Sequence, residues 1–186
     1  MPAHRRHRRP PGESIGSAPL RIAGYERALA DAGLPLDPAL VVPCYLWHRE
    51  TGAAATEALL DSGVPFDAVF GLNDAMALGA LRVLSARGVR VPEDVAVIGF
   101  DDVDDARYST PSLSSIAPGR RDIARTAVDL LVERIAAPNA TRPFVEHVAA
   151  FHVVERESTL GPGAAEVERP DAGGVEVIQS SDALTS

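Results

Sequence analysis

Three glycines, Gly33, Gly63 and Gly88, lie 25 to 30 residues apart, and each follows a stretch with the apolar spacing of an amphipathic helix. Short apolar runs that are typical of buried strands lie between these stretches. An interval of this length accommodates one strand and one helix. Strands that alternate with helices predict an α/β fold, with a parallel sheet flanked by helices on both faces. The units share no side-chain pattern beyond the glycines, which argues against a solenoid repeat.

The same pattern predicts where the elements lie. Helices are expected over residues 21–32, from a cap at Thr51 to Gly63, from a cap at Asn73 to Gly88, and over residues 120–136. Strands are expected over residues 40–44, 66–71, 95–100 and 145–154. The run 95–100 is apolar without interruption, as expected for a strand that is covered on both faces.

The two ends of the chain differ in composition from the part between them. Residues 1–13 are rich in arginine, histidine and proline and have little to bury, so they are expected to form a disordered basic tail. An arm that touches nucleic acid is the alternative role for this tail. Residues 161–186 are rich in glycine, alanine, serine and acidic residues and are expected to form a second disordered tail. The folded domain is therefore predicted over residues 14–160.

Composition removes several classes of protein. Apolar residues make up 46% of the 186 residues, which is enough for a buried core. The single Cys44 excludes a disulfide framework. All 18 basic residues are arginine, which excludes lysine Schiff-base chemistry and the P-loop lysine. The net charge of −8 argues against a nucleic-acid groove in the folded part. No apolar run approaches the ~20 residues that span a bilayer, and no secretory signal is visible, so a cytoplasmic location without a membrane partner is expected.

Polar side chains follow the predicted strands at the points where those strands end. Trp47 comes after 40–44, Asn73 after 66–71, and Asp101 directly after 95–100. Because ligands of open parallel sheets bind beyond the carboxyl ends of the strands, these side chains are expected to meet in one site. An indole face, an amide and a carboxylate suit a polyhydroxylated ligand such as a sugar. The alternatives are that Asn73 is only a helix cap, Trp47 a core or surface aromatic, and Asp101 a loop cap.

Other kinds of site fit the sequence less well. Asp102 and Asp104 after a buried strand resemble the start of a magnesium-dependent aspartyl-phosphate phosphatase site, but such sites need a lysine. Cys44 lies near His48 without a group to orient the histidine, and is interpreted as a buried structural thiol. We therefore expect no metal, no cofactor and no enzymatic activity.

Five segments in family order resemble the lactose-repressor/galactose-repressor (LacI/GalR) family of transcription regulators. They are RIAGYERAL at 21–29, GLNDAMALGAL at 71–81, VPEDVAVIGFDD at 91–102, PSLSSI at 111–116 and VVEREST at 153–159, the last of which resembles the closing strand of the family. The resemblance covers about residues 14–160. It implies a periplasmic-binding-protein-like sensor in which two α/β lobes close on a small effector and thereby change operator binding by an attached helix-turn-helix.

The resemblance also implies roles for particular residues and partners. By motif, the effector contacts are Arg21, Asn73 and Asp101, with Trp47 as an aromatic contact and Ser17 as a further candidate. Asp74 and Asp102 are then caps and supports rather than ligands of the effector. The implied partners are a small polar effector, with a sugar favoured, a second copy of the chain in a homodimer, and operator DNA reached only through a helix-turn-helix that this chain lacks.

The sequence departs from the family pattern in two ways. Ala117 and Pro118 stand where the family commonly has a glutamine that reaches the site. The first half of the family pattern is missing, so the chain is interpreted as a truncated regulator with the second lobe mostly present and the first largely absent. The apolar stripe of the helix over 120–136 should then lie uncovered. A solute-binding protein without a role on DNA is the alternative function.

Overall fold

The computed structural model describes residues 16–141 and 145–170. The basic tail predicted over residues 1–13 lies outside the described residues, as does most of the tail predicted over 161–186. The described residues form a five-stranded sheet with helices packed on it.

The six α-helices of the described residues are α1 (Ala18–Asp31), α2 (Arg49–Ser62), α3 (Asp74–Ala86), α4 (Asp104–Tyr108), α5 (Arg120–Ala136) and α6 (Glu157–Leu160). The five strands are β1 (Ala68–Phe70), β2 (Ala96–Phe100), β3 (Ser114–Ala117), β4 (His152–Glu155) and β5 (Val167–Pro170). A short 3-10 helix spans Pro38–Leu40. The predicted helix over 120–136 is confirmed residue for residue.

The sheet is mixed, with the strand order β1-β2-β3-β4-β5. β1, β2 and β3 are parallel, with Val69 beside Val97 and Ile98 beside Ser114. β4 returns antiparallel to β3, and β5 runs antiparallel to β4. The predicted parallel sheet is thus found in the first three strands, whose carboxyl ends lie at one edge.

Three predicted elements differ in the structure. The strand predicted over 145–154 forms only at its end, where β4 spans His152–Glu155. No strand forms over 40–44: the 3-10 helix Pro38–Leu40, capped by Asp37, is followed by extended chain that joins no sheet. Pro43 has no amide hydrogen to donate, and no strand of the described residues lies beside this segment. Residues 167–170 form β5, although the sequence predicted a disordered tail from 161 onward. This part of the tail pairs with the exposed edge of β4, which supplies a hydrogen-bonding partner for its backbone.

The core lies between α3 and the parallel strands. Its largest fully buried apolar side chains are Leu84, Leu113 and Val97. Burying each such side chain contributes about 1.5–3 kcal/mol. α2 packs closely on α3 because Gly52 and Gly79 have no side chains: a Cβ at Gly79 would lie 2.1 Å from the carbonyl oxygen of Arg49.

The apolar side of α5 is uncovered in the described structure. None of its residues is buried, and Leu131 and Ile135 are 57% and 69% exposed. The uncovered stripe predicted for this helix is therefore found. The described helices include none with the length and apolar character needed to cross a membrane.

Candidate ligand-binding site

Arg21, on the first turn of α1, lies at the centre of a cluster at the carboxyl ends of β1 and β2. The centre of its guanidinium group lies 3.7 Å from the ring centroid of Phe100 and 5.1 Å from that of Trp47. One nitrogen donates a hydrogen bond to the carbonyl of Leu72, just beyond β1. Another lies 3.8 Å from a carboxylate oxygen of Asp101. One cation therefore joins two aromatic rings, a carbonyl and a carboxylate.

Asn73 caps α3 and also reaches the tryptophan segment. Its Oδ1 accepts a hydrogen bond from the backbone amide of Met76 at 2.9 Å. Its Nδ2 donates to the backbone carbonyl of Trp47 at 3.2 Å. The predicted capping role is thus observed, and it leaves the second amide hydrogen of Asn73 for another acceptor. Through these bonds the end of β1 is tied to the segment that carries Trp47.

Asp101 begins the turn that follows β2, where its backbone amide donates to the carbonyl of Ile116 on β3 at 2.9 Å. Its side chain is 36% exposed. Burial raises the pKa of the Asp101 carboxyl, and the positive charges of Arg21 and Arg120 oppose that shift. Burial also lowers the pKa of the Arg21 guanidinium, against the charge of Asp101. Both charged groups have lost part of their water, so each favours a new polar partner.

The structure brings four of the five sequence-predicted residues into this cluster: Arg21, Trp47, Asn73 and Asp101. Ser17 lies at the start of α1, where its carbonyl accepts from the amide of Arg21 at 3.1 Å and its side chain makes no capping bond. Its part in a site stays a prediction.

Sequence reasoning missed Phe100, whose ring stacks on the guanidinium of Arg21. The apolar run over 95–100 marks it only as the last residue of a buried strand. The available signal was its position directly before Asp101 at the carboxyl end of β2, where side chains border the site.

The alternative chemistries gain no support from the geometry. The Asp102 carboxylate pairs with Arg156 at 2.7 Å, whereas Asp104 lies exposed at the start of α4. Within residues 16–141 and 145–170, no cluster of three or more His, Cys, Asp or Glu side chains could hold a metal ion. Burial raises the pKa of the Cys44 thiol, which disfavours a reactive thiolate.

A mixed α/β sheet with polar and aromatic groups at the carboxyl ends of its parallel strands is typical of domains that bind small molecules. The sequence profile of the periplasmic binding protein-like domain matches residues 11–159. The chain belongs to the periplasmic binding protein-like family, in the form that is found in LacI-type transcription regulators.

Several relatives and solved structures that the chain resembles are regulators of that type. It is 47% identical over 142 residues to the HTH-type transcriptional regulator AscG of Escherichia coli K12, covering 76% of this chain and 41% of AscG. A LacI-family regulator structure from Sanguibacter keddieii is 53% identical with a TM-score of 0.72, covering 81% of this chain and 55% of that one. The CelR–cellobiose complex is 40% identical with a TM-score of 0.67, covering 74% and 41%.

The chain spans about two fifths of the length of the curated relatives that it matches. The residues that the domain profile matches, 11–159, include the cluster around Arg21.

Proposed function

We propose that this chain is the effector-binding part of a LacI-type transcription regulator and that its effector is a sugar or a similar polar molecule. The contacts are Arg21, Trp47, Asn73 and Asp101, with Ser17 as a further candidate. The observation that carries the proposal is the placement of Arg21 against both an aromatic ring pair and a carboxylate.

The chemistry of this cluster suits a ring with several hydroxyl groups. The Asp101 carboxylate can accept hydroxyl protons, and the second Asn73 amide hydrogen can donate to a hydroxyl oxygen. The indole of Trp47 offers a flat apolar face to the C–H side of a sugar ring. A related regulator, CelR, has been solved as a complex with cellobiose.

In the longer regulator, the effector would act by binding one arrangement of two lobes more tightly than another. Such differential affinity is what allows a ligand at one site to change operator affinity at a distant site. This role requires no catalysis by the chain, and it places the protein in the cytoplasm, where operator DNA lies.

Trp47 allows a direct test because it is the only tryptophan of the chain. Titration with cellobiose and, separately, ribose should give a saturable change in its fluorescence. Because Asp101 stays partly open to water, we expect a Kd of about 1 mM or weaker. Asp101→Asn should weaken binding by about tenfold or more.

Asp94→Asn is the matched control, since Asp94 lies near the amino end of β2, at the opposite end of the strand. It should leave the titration unchanged. The proposal is contradicted if neither sugar gives a saturable signal, or if Asp101→Asn and Asp94→Asn bind alike.

We also infer that two copies of the chain associate through a groove of about 570 Å³ between α2, α3 and α4. Tyr108, which is 82% exposed, lines this groove together with Leu78 and Ala53. Arg49 is paired with Asp105 across it. The groove shares no lining residue with the cluster around Arg21.

The charges of the groove are self-complementary. Arg82 and Glu50 both line it, are exposed, and have no ion-pair partner in the part of the chain that the structure describes. Across a two-fold axis, Arg82 of one copy can pair with Glu50 of the other, and the reverse pair forms at the same time.

A charge exchange tests this interface. Light scattering after size exclusion should show a dimer, which Arg82→Glu or Glu50→Arg each disrupts by like-charge repulsion. The double variant should restore it. A monomeric wild-type chain, or a double variant no better than the single ones, contradicts this interface.

A further inference from the structure

The turn between β2 and α4 holds two successive non-glycine residues with positive φ. Asp101 has φ 114° and Asp102 has φ 48°. Each non-glycine residue with such a backbone angle costs of order 1–3 kcal/mol of folding free energy, and the conformation persists only where surrounding contacts hold it. The first of the two carries the carboxylate that faces Arg21. The contacts that hold this turn in its strained conformation therefore set the position of the Asp101 carboxylate.

A buried pair of side chains supplies much of this restraint. The amide of Asp102 donates to Ser115 Oγ at 3.0 Å, and the amide of Val103 donates to Asp74 Oδ2 at 2.8 Å. The Ser115 hydroxyl in turn donates to Asp74 Oδ1 at 2.6 Å. Both Asp74 and Ser115 are fully buried. Two successive amides of the strained turn are therefore fixed by one hydrogen-bonded unit from α3 and β3.

The backbone beneath the pair makes room for it. A Cβ built on Gly99 of β2 would lie 2.2 Å from Asp74 Oδ1, so a side chain there would displace the carboxylate. Burial raises the pKa of Asp74, while the bonds from Ser115 and Val103 oppose that shift. A carboxylate in this place is costly to bury, and its two oxygens are occupied by donors that hold the turn and the strand beside it.

We propose that Asp74 and Ser115 are positioning residues for Asp101: they hold the left-handed turn that directs the Asp101 carboxylate toward Arg21 and the effector. The part of the proposal that concerns the effector rests on the proposed function. Neither positioning residue touches the ligand, and both act through the backbone of the turn. Loss of the Ser115 hydroxyl removes the acceptor of the Asp102 amide and a donor to Asp74 in a single change.

Ser114 provides a matched control on the same strand. It is as fully buried as Ser115, and its hydroxyl bonds to the backbone of Arg156 and to Thr159 instead of the turn. Ser115→Ala and Ser114→Ala each remove one buried hydroxyl, so both should lower overall stability. Only Ser115→Ala should loosen the turn.

Three readouts on the whole chain separate the two variants. Hydrogen exchange of the Asp102 and Val103 amides, corrected for global stability, should rise about tenfold more in Ser115→Ala than in Ser114→Ala. The pKa of the Asp101 carboxyl, followed by carbon NMR, should fall toward its usual value in Ser115→Ala only. Cellobiose affinity, read from Trp47 fluorescence, should weaken about fivefold or more in Ser115→Ala only.

The outcomes distinguish this proposal from the proposed function. Equal exchange and equal Asp101 pKa in the two variants overturn the positioning role. If the wild-type chain binds cellobiose and Ser115→Ala binds it with unchanged affinity, the positioning role is also overturned. If the turn loosens as expected but the wild-type chain binds no sugar, the positioning of Asp101 is supported and the proposed function fails. Asp74→Asn, which keeps the side-chain volume, gives the same readouts if Ser115→Ala does not fold.

Discussion

Replacing Arg156 by methionine should be among the most destabilising single changes to the polar side chains of this domain. The Arg156 side chain is 3% exposed, and each of its nitrogens donates a hydrogen bond. Nη2 donates to Asp102 at 2.7 Å, Nε to Glu166 at 2.5 Å, and Nη1 to the carbonyl of Leu113 at 2.8 Å. The guanidinium thus joins the turn after β2, the start of β3 and the segment that leads into β5.

The size of the effect follows from what the change leaves behind. Removing one partner of a buried ion pair costs about 3–5 kcal/mol. Asp102 and Glu166 are 23% and 31% exposed, so water can partly hydrate them once the guanidinium is gone. We therefore expect a loss of about 2–4 kcal/mol, with the melting temperature falling by about 2–4 °C for each kcal/mol in a domain of this size.

Urea unfolding followed by circular dichroism measures this loss, and Arg107→Met is its matched control. Arg107 pairs with the same Glu166 at 3.1 Å, but its side chain is 60% exposed. An exposed pair of this kind contributes about 0–1 kcal/mol. If Arg156→Met costs no more than Arg107→Met, burial does not set the strength of this ion pair and the reasoning is wrong.

Two further predictions concern packing and pH. Gly79→Ala should destabilise the domain by about 1–3 kcal/mol in urea unfolding, since its Cβ would lie 2.1 Å from the Arg49 carbonyl oxygen. Gly24→Ala is the control: Gly24 lies in α1, a Cβ there would have nothing within 4 Å, and the change should not destabilise the domain. Equal losses of stability in the two variants would contradict the packing argument. Bonds from Arg90 lower the pKa of Asp94 from 3.8 to about 2, so the stability that Asp94 adds is present above its unfolded pKa and is lost as the pH falls toward 2. The urea midpoint of Asp94→Asn should accordingly fall less than that of the wild-type chain over this acid range, and parallel curves would refute the assignment.

Local patterns were enough to predict the four longer helices and the parallel strands β1 and β2, but not the parallel strand β3 or the short helices α4 and α6. The apolar spacing over 120–136 is a property of neighbouring residues, and α5 has those bounds. Asn73 was predicted as a helix cap, and its Oδ1 accepts from the amide of Met76. Likewise, the apolar runs before Asn73 and Asp101 became β1 and β2, which placed both residues at one edge of the sheet.

Strands that depend on hydrogen bonds from a distant part of the chain could not be predicted from local sequence patterns. Residues 40–44 have the apolar character of a strand, but a strand exists only where another strand supplies hydrogen bonds, and none of the described strands lies beside them. The reverse holds for β5, whose polar sequence pairs because β4 offers an open edge.

The same distinction, between local sequence patterns and contacts with distant residues, applies to the candidate site. Asn73 and Asp101 follow from the order of strands along the chain, because parallel strands end at one edge and expose whatever residue comes next. Arg21, on α1, was expected only from the family resemblance, and the strand predicted before Trp47 does not form. The stacking of Phe100 on Arg21 and the hold of Asp74 and Ser115 on the turn arise between residues far apart in sequence. Sequence alone therefore determined that Asn73 and Asp101 reach the edge of the sheet. Tertiary packing decided which other side chains join them and how all are oriented, because side-chain contacts and strained backbone angles are set by partners that only the folded chain brings together.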